Sequence, residues 1–420
     1  MLPAGQAANL AEAMEAEDYM QSTVRHQHRI SRMPLLFALA GAAVLMSGTV
    51  PSAQAQTFTV LYTFTNTAQG WQPDAAPILD AAGNLYGTTQ FGGTAGGFGT
   101  VFKLDTKSNE EVLYSFAGEP DGEDPVAGLL RDRSGNLYGT TLYGGTAGGY
   151  GTAFELTPSG KLILLHSFAS NPDGADPYSN LVGDPSGNGY GTTRYGGAEG
   201  GYGTVFEVNA KGEEVLYSFA GTPDGEDPQA GLFRDSAGNL YGTTIYGGTA
   251  GGYGTVFKLD KAGKLTLLHS FAGTPDGENP YAGLVADSAG NGYGTTKYGG
   301  TAGGYGTVFK IDRTGKFSLL HSFAGTPDGE NPLAGVVLDP AGNIYGTTFY
   351  GGTIGYGTVF EIDTTGKFTV LHSFNNASDG ANPMGGLTRD AAGNLYGTTS
   401  DGGDLSCGFS GCGTVFEVTP

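Results

Sequence analysis

An all-β fold, a seven-bladed β-propeller of four-stranded antiparallel blades, is what this sequence predicts, and three observations carry the prediction. The heptapeptide GNLYGTT at Gly83–Thr89 returns in close copies beginning at Gly135, Gly187, Gly238, Gly290, Gly342 and Gly393, at spacings of 51 or 52 residues. Each interval divides into four short apolar runs separated by turn signals, and a period of about 50 residues with four strands per unit marks a propeller blade. The last unit stops one strand short at Pro420, and a matching strand stands at the other end: FTVLYTF, Phe58 to Phe64, resembles FTVLHSF at Phe368 to Phe374. Pairing that segment beside Val415 to Val418 closes the ring and leaves neither terminus as an open sheet edge.

In chain order, residues 1–55 read as a secretory leader. Arg25, Arg29 and Arg32 precede the apolar run MPLLFALAGAAVLM, and Ala53 and Ala55 make an A-x-A cleavage site, which places the mature start at Gln56. The run is short for a membrane span. Glu12, Glu15, Glu17 and Asp18 are foreign to the first region of such a leader and raise Met20 as an alternative start; an uncleaved anchor is the competing reading. Residues 56–420 are one domain of seven repeats with nothing over for a second.

Within a repeat, Tyr281 to Phe323 serves as the example. YAGLVAD is a first strand, SAGN a turn, GYGTT a second strand and KYGGTAGGYG a loop. TVFKID, the turn RTGK and FSLLHSF complete a meander, and AGTPDGENP leads to the next unit. The pattern D-x-[SA]-G-N recurs at Asp80, Asp132, Asp184, Asp235, Asp287, Asp339 and Asp390. Asp opening the turn and Gly at its fourth position suit a type I turn whose Gly takes positive φ in a hairpin bulge. A parallel β-helix ranks second, because such hairpin turns demand antiparallel pairing within each unit.

Composition narrows the classes of function. The chain has 76 Gly, 23 Tyr and 23 Phe, and residues 56–420 carry 17 basic against 37 acidic side chains. An acidic surface repels phosphate backbones and anionic lipid, so nucleic-acid binding and electrostatic membrane association are excluded as leading readings. Cys407 and Cys412 are the only cysteines; in an exported chain they read as a disulfide closing a small loop, not as half of a zinc site.

DxxGNLYGTTxxGG, GTVFKLD, LLHSF and DGxxPxAGL together resemble the Gloeo-Verruco (GloVer) repeat family, also called choice-of-anchor tandem repeat proteins, over essentially all of the mature chain. The resemblance implies an exported bacterial repeat protein, often ending in a surface-sorting or anchoring segment, with no established activity to carry over. Here nothing follows GTVFEVTP, so a released, secreted or extracellular protein is expected, with periplasmic or cell-surface residence as variants.

Candidate sites follow from the meander, which brings GGTAGG loops and PDGEDP links to one face. Tyr143, Tyr195, Tyr246, Tyr298 and Tyr350, with Phe91, precede the loops; Phe98, Tyr150, Tyr202, Tyr253, Tyr305 and Tyr356 follow them. Such rings either stack on sugars and hydrogen-bond through their hydroxyls, or pack blade against blade. Acidic pairs in the links (Asp121 with Asp124, Asp173 with Asp176, Asp224 with Asp227) are weak calcium candidates. The competing reading is plain Pro-Asp-Gly turn chemistry, and no D-x-[DN]-x-[DN]-G run is present.

His166, His269, His321 and His372 stand where Tyr62, Tyr114 and Tyr217 stand in other units, so this ring reads as packing. No nucleophile elbow, metalloprotease or phosphate-loop motif appears, and no catalytic residue is assigned. Departures from repetition are few: Arg131, Arg234 and Arg389; the residue after GTT (Gln90, Leu142, Arg194, Ile245, Lys297, Phe349, Ser400); and the longer last loop, which carries both cysteines and whose Asp401 and Asp404 join the tyrosines as binding candidates. The sequence therefore predicts a monomeric binding or surface-interaction module for an extracellular glycan or protein ligand, without a cofactor unless calcium, and without a membrane span once the leader is removed. A propeller hydrolase or lyase acting on polysaccharide or lactone, and a structural envelope component, are the alternatives.

Overall fold

The computed structural model describes residues 56–420 apart from 66, 67, 199, 377 and 409. The leader reading, with its cleavage site and alternative start, lies outside the described residues.

The described residues form seven four-stranded antiparallel sheets. Six are built from consecutive strands; blade 1, for example, comprises Ile78–Leu79, Leu85–Thr89, Thr100–Leu104 and Glu110–Ser115. The seventh takes Thr388–Arg389, Leu395–Thr399 and Thr414–Thr419 from the C-terminal end and Thr57–Thr63 from the N-terminal end. That last pairing runs from Thr57 opposite Thr419 to Thr63 opposite Thr414, and Phe64 N–H continues it by donating to Gly413 O at 3.0 Å. The seven-bladed ring is thus closed by its own terminus.

Every residue of the heptapeptide has a structural task. In blade 1, Asp80 opens the turn: Oδ1 accepts from the Asn84 N–H, while Oδ2 accepts from the Asn84 amide and from the Tyr86 hydroxyl. Gly83 takes φ 88°, the left-handed value that a bulged hairpin turn requires and that a Cβ disfavours. Gly87 has a different reason: a Cβ there would sit 2.7 Å from Phe102 Cζ of the neighbouring strand, so the ring uses the space. Thr89 Oγ1 meets Thr100 Oγ1 across the sheet at 2.8 Å. Thr88 Oγ1 donates to Ala127 O of the next blade, and six equivalents repeat this bond at 2.9–3.1 Å around the ring, the last being Thr398 to Ala75 O.

These bonds explain one departure from the sequence reading. The first strand, read as the whole run YAGLVAD, is only Val285–Ala286 in that repeat and two residues long in every blade. The carbonyl of Ala282 is turned to Thr243 of the preceding blade, and the segment runs so close to its neighbours that a Cβ on Gly283 would lie 2.1 Å from Gly231 O. The residues before each first strand therefore join blade to blade, and ladder pairing begins only beyond them.

The core lies between blades. One cluster unites Tyr86, Val101 and Phe116 of blade 1 with Leu129, Leu137, Phe154 and Leu156 of blade 2; another joins Phe64 and Val415 of blade 7 to Leu85, Phe102 and Leu104 of blade 1. A fully buried Phe at the end of each fourth strand meets the third-strand Phe of the next blade edge to face. Phe116 meets Phe154 at 5.2 Å between centroids, Phe374 meets Phe416 at 5.2 Å, and Phe64 meets Phe102 at 5.2 Å. Each such pair adds about 0.5–1.5 kcal/mol beyond the burial of its surface.

Cys407 and Cys412 form the expected disulfide, with Cα atoms 5.1 Å apart. Cys412 is fully buried beside Phe64 and Val415, whereas Cys407 is only partly covered. Cys407→Ser is therefore expected to cost about 2 kcal/mol or less, since a ring this small removes little unfolded-state entropy. Cys412→Ser should cost more, because it also puts a hydroxyl into the core. Urea titration of the two variants checks the order; equal losses would contradict it.

Candidate functional site on the loop-bearing face

Loops and links share one face because their backbones are bonded together. Glu123 and Tyr143 exchange both N–H···O bonds, and Asp124 N–H donates to Phe98 O, so the link into blade 2 is clamped between the residue after the blade 1 loop and the residue before the blade 2 loop. Asp124, Asp176 and Asp227 hold φ of 55–56°, and Asn279, Asn331 and Asn382 hold 54–55° in the other links. Asp and Asn tolerate this left-handed backbone better than other side-chain-bearing residues, which accounts for their exchange.

The other Asp of each link has a ring partner. Tyr114 donates to Asp121 at 2.5 Å and Tyr217 to Asp224 at 2.6 Å; His166 Nε2 lies 2.7 Å from Asp173 Oδ2, and His269, His321 and His372 repeat the contact at 2.8, 3.1 and 3.0 Å. Sequence reasoning took the Tyr/His position as packing alone and missed this bond. The constant spacing of seven residues between ring and Asp was the signal available.

The clamp sorts the aromatic residues into pairs flanking one link. Across three successive links both members are more than a third exposed: Tyr150 (41%) with Tyr195 (39%), Tyr202 (38%) with Tyr246 (37%), and Tyr253 (39%) with Tyr298 (39%). Tyr143 and Tyr350 are half-buried, as are Phe98, Tyr305 and Tyr356, which pack against the inter-blade clusters. Asp401 takes the Tyr position of blade 7, exchanging bonds with Ala381, and is buried. Asp404 caps the short helix Leu405–Cys407 by accepting from Ser406 N–H.

Charge is unevenly spread over this face. Near the exposed tyrosines, the Arg194 guanidinium lies 4.7 Å from the Tyr195 ring centroid and 3.7 Å from Asp227, and Lys297 Nζ lies 4.7 Å from the Tyr281 ring and 5.0 Å from that of Tyr298. Where blade 7 meets blade 1, carboxylates gather instead. Asp74 is pushed up to about 7 by burial, with the nearby Ser400 side chain opposing and the charges of Asp401 and Asp124 adding; its Oδ1 is closed to solvent and unpaired. Burial raises Asp401 and Asp124 to about 6 each.

Two of the other departures from symmetry act on the opposite face, between blades. Arg131 lies 5.5 Å from the Tyr86 ring centroid and Arg234 lies 5.6 Å from that of Tyr190, each reaching back to the preceding blade. Among the described residues, the group of three or more His, Cys, Asp or Glu side chains placed to share a cation is His166, Asp173 and Glu213. Of the calcium candidates, only Asp173 takes part in it.

The sequence matches the Gloeobacter/Verrucomicrobia repeat over residues 41–252, 148–335 and 287–420, overlapping stretches that take in most of the chain. The chain belongs to the Gloeobacter/Verrucomicrobia repeat family. No curated protein matches it in sequence. Among solved structures, this repeat ring is similar to the extracellular domain of a proposed one-component system from B. thetaiotaomicron, at 10% identity and a TM-score of 0.53, over 85% of this chain and 39% of that one. It is also similar to PorZ, a surface component of the type-IX secretion system of Porphyromonas gingivalis, at 13% identity and a TM-score of 0.48, over 77% of this chain and 45% of that one. The chain spans less than half the length of either structure, and likeness at this identity speaks for the fold alone.

Proposed function

We propose that this repeat protein is a binding module that takes an extracellular glycan on its loop-bearing face. The observation that carries the reading is the run of three adjacent links, each flanked by two tyrosines more than a third exposed. A half-exposed Tyr held by backbone bonds on both sides offers a preordered flat surface for a sugar ring and a hydroxyl for its polar edge, at little entropic cost. Three such pairs in successive blades suit a polymer whose residues repeat along its length, and weak single contacts then add up through multivalency. Arg194 and Lys297 supply donors beside this surface for acidic sugars.

A glycan array probed with the protein tests the reading. Saturable binding is expected, weakened about tenfold or more when Tyr202 and Tyr246 are both changed to Ala, with an unchanged melting temperature showing that the ring is intact. Absence of saturable binding, or binding indifferent to the double substitution, overturns it.

A further inference from the structure

At each seam on the rim of the ring, one residue is placed by register to face the preceding blade: the residue of the fourth strand that pairs with the last apolar residue of the third. These residues are Glu110, Leu162, Glu213, Leu265, Phe317, Phe368 and, from the N-terminal strand, Phe58. Three of them stack flat on the histidine of the preceding blade, with centroids 4.4 Å (Phe317 on His269), 4.0 Å (Phe368 on His321) and 3.6 Å (Phe58 on His372) apart. Leu265 packs in the cluster that holds Tyr217, and Leu162 in the one that holds Tyr114.

The seam between blades 2 and 3 is different in kind. Here Glu213 comes against His166, which is itself 2.7 Å from Asp173. One donor atom from each of the three lies within 4.8 Å of the others. Glu213 Oε1 is closed to solvent and has no hydrogen-bond partner. Phe168 meets the imidazole edge-on at 4.7 Å between centroids, and the Ala169 N–H donates to the Asp173 carboxylate at 3.2 Å, so two of the three groups are already held in place. The other acidic seam lacks this set, because Glu110 faces Tyr62, and Gln69 occupies the place of the link Asp: Thr100 donates to Gln69 O there as Thr152 does to Asp121 O.

We propose that His166, Asp173 and Glu213 form a binding site for a divalent transition-metal cation of the zinc type, which clasps blade 2 to blade 3. One imidazole nitrogen and two carboxylate oxygens are donors that zinc and its first-row neighbours accept, whereas calcium takes oxygen alone. Ligand bonds of about 2.0–2.2 Å set donors roughly 3–4 Å apart around one ion, so from donors within 4.8 Å of one another Glu213 needs to close in by about 1–2 Å at most, while the 2.7 Å contact of His166 with Asp173 opens slightly. Glu213, the partner with an unpaired oxygen, supplies that movement by side-chain rotation. Because the ligands come from two blades, the ion ties together surfaces that at five of the other seams are joined by ring stacking or aliphatic packing.

Equilibrium titration of the untagged, chelator-treated protein with zinc chloride, followed by calorimetry and by thermal melting, tests the proposal. Glu213→Phe and His166→Tyr install the residues found at equivalent seams of this same chain, and Glu213→Gln preserves the side-chain volume should the Phe disturb the fold. The expected result is one saturable zinc per chain, a melting temperature raised by zinc, and loss of about tenfold or more in affinity in all three variants. No saturable binding by the parent protein, or equal binding by parent and variants, overturns the site. A loss of stability in the variants that is the same with and without zinc also overturns it, since the trio would then be only an ion-pair network.

Discussion

Removing Thr57–Thr63 together with Phe64 is expected to open the ring. The segment donates one strand to blade 7 and places two aromatic rings in the last seam. Phe64 is fully buried, edge-on to Phe102, and Phe58 lies flat on His372 and against Phe416. Loss of a buried Phe side chain alone costs about 3–5 kcal/mol. Deletion adds the exposure of the whole edge of Thr414–Thr419, an unpaired row of N–H and C=O groups that recruits strands from other molecules. The truncated protein should melt far below the parent and run as oligomers or aggregates on gel filtration. Phe64→Ala should lose the burial energy without freeing the edge, and so destabilise while eluting at the size of the parent. Phe116→Ala, the counterpart between blades 1 and 2, should match it in magnitude. A truncated chain that remains monomeric with unchanged melting would show that the terminal strand does not hold the ring shut.

Acidification from pH 8 to pH 5 is expected to stabilise the fold. Asp74, Asp401, Asp124 and Glu110 all have carboxyls raised by burial, to about 7, 6, 6 and 7. A group whose folded pKa lies above its unfolded value binds more protons in the native state between those two values. Stability therefore falls as pH rises from about 4 through 7, and is regained on acidification. At one pKa unit per about 1.4 kcal/mol, and allowing for solvent screening at the partly exposed Glu110 and Asp124, the swing is on the order of 2–4 kcal/mol.

The turn aspartates act in the opposite sense. Burial pushes Asp80 up, but the hydrogen bonds from Asn84, Tyr86 and Ala82 outweigh it and leave the carboxyl below its usual range; Asp184, Asp235, Asp287 and Asp339 behave alike. Their contribution is present above the ordinary carboxylate pKa and is lost only as pH drops below about 4. Stability should accordingly peak between about pH 4 and 5. Urea midpoints measured at unit steps from pH 3 to 8 check this, and Asp74→Asn with Asp401→Asn should flatten the alkaline limb. A midpoint that rises steadily towards pH 8 would contradict the placement of these carboxyls.

Much of the architecture was legible because repetition multiplies weak local signals. Each D-x-[SA]-G-N copy is an ordinary turn cue, but seven in register make four-stranded units hard to avoid, and the segment Phe58 to Phe64 could be matched to its missing place by its likeness to Phe368 to Phe374. The first strands were over-read, since YAGLVAD is apolar throughout and nothing local reveals that the Ala282 carbonyl serves the neighbouring blade.

At the candidate sites the balance shifts. Tyr195, Tyr246 and Tyr298 could be singled out by their repeated position, yet one periodic pattern serves packing and display equally well. Only the backbone clamp shows which rings flank a common link and which pairs stay exposed. Asp401 looked like a loop residue and turned out to be buried in the place of a tyrosine.

Taken alone, the order of amino acids determined the period, the strand count, the turn types and the partner of the orphan strand, because each depends on contacts within about 50 residues or on copies of one pattern. Tertiary structure decided what happens at the seams. His166 and Glu213 are 47 positions apart and lie in different repeats, so no local rule couples them. They become neighbours because stacked blades bring each fourth strand against the next one, and a Phe-to-Glu difference at one seam then converts a stacked aromatic pair into a set of convergent donors.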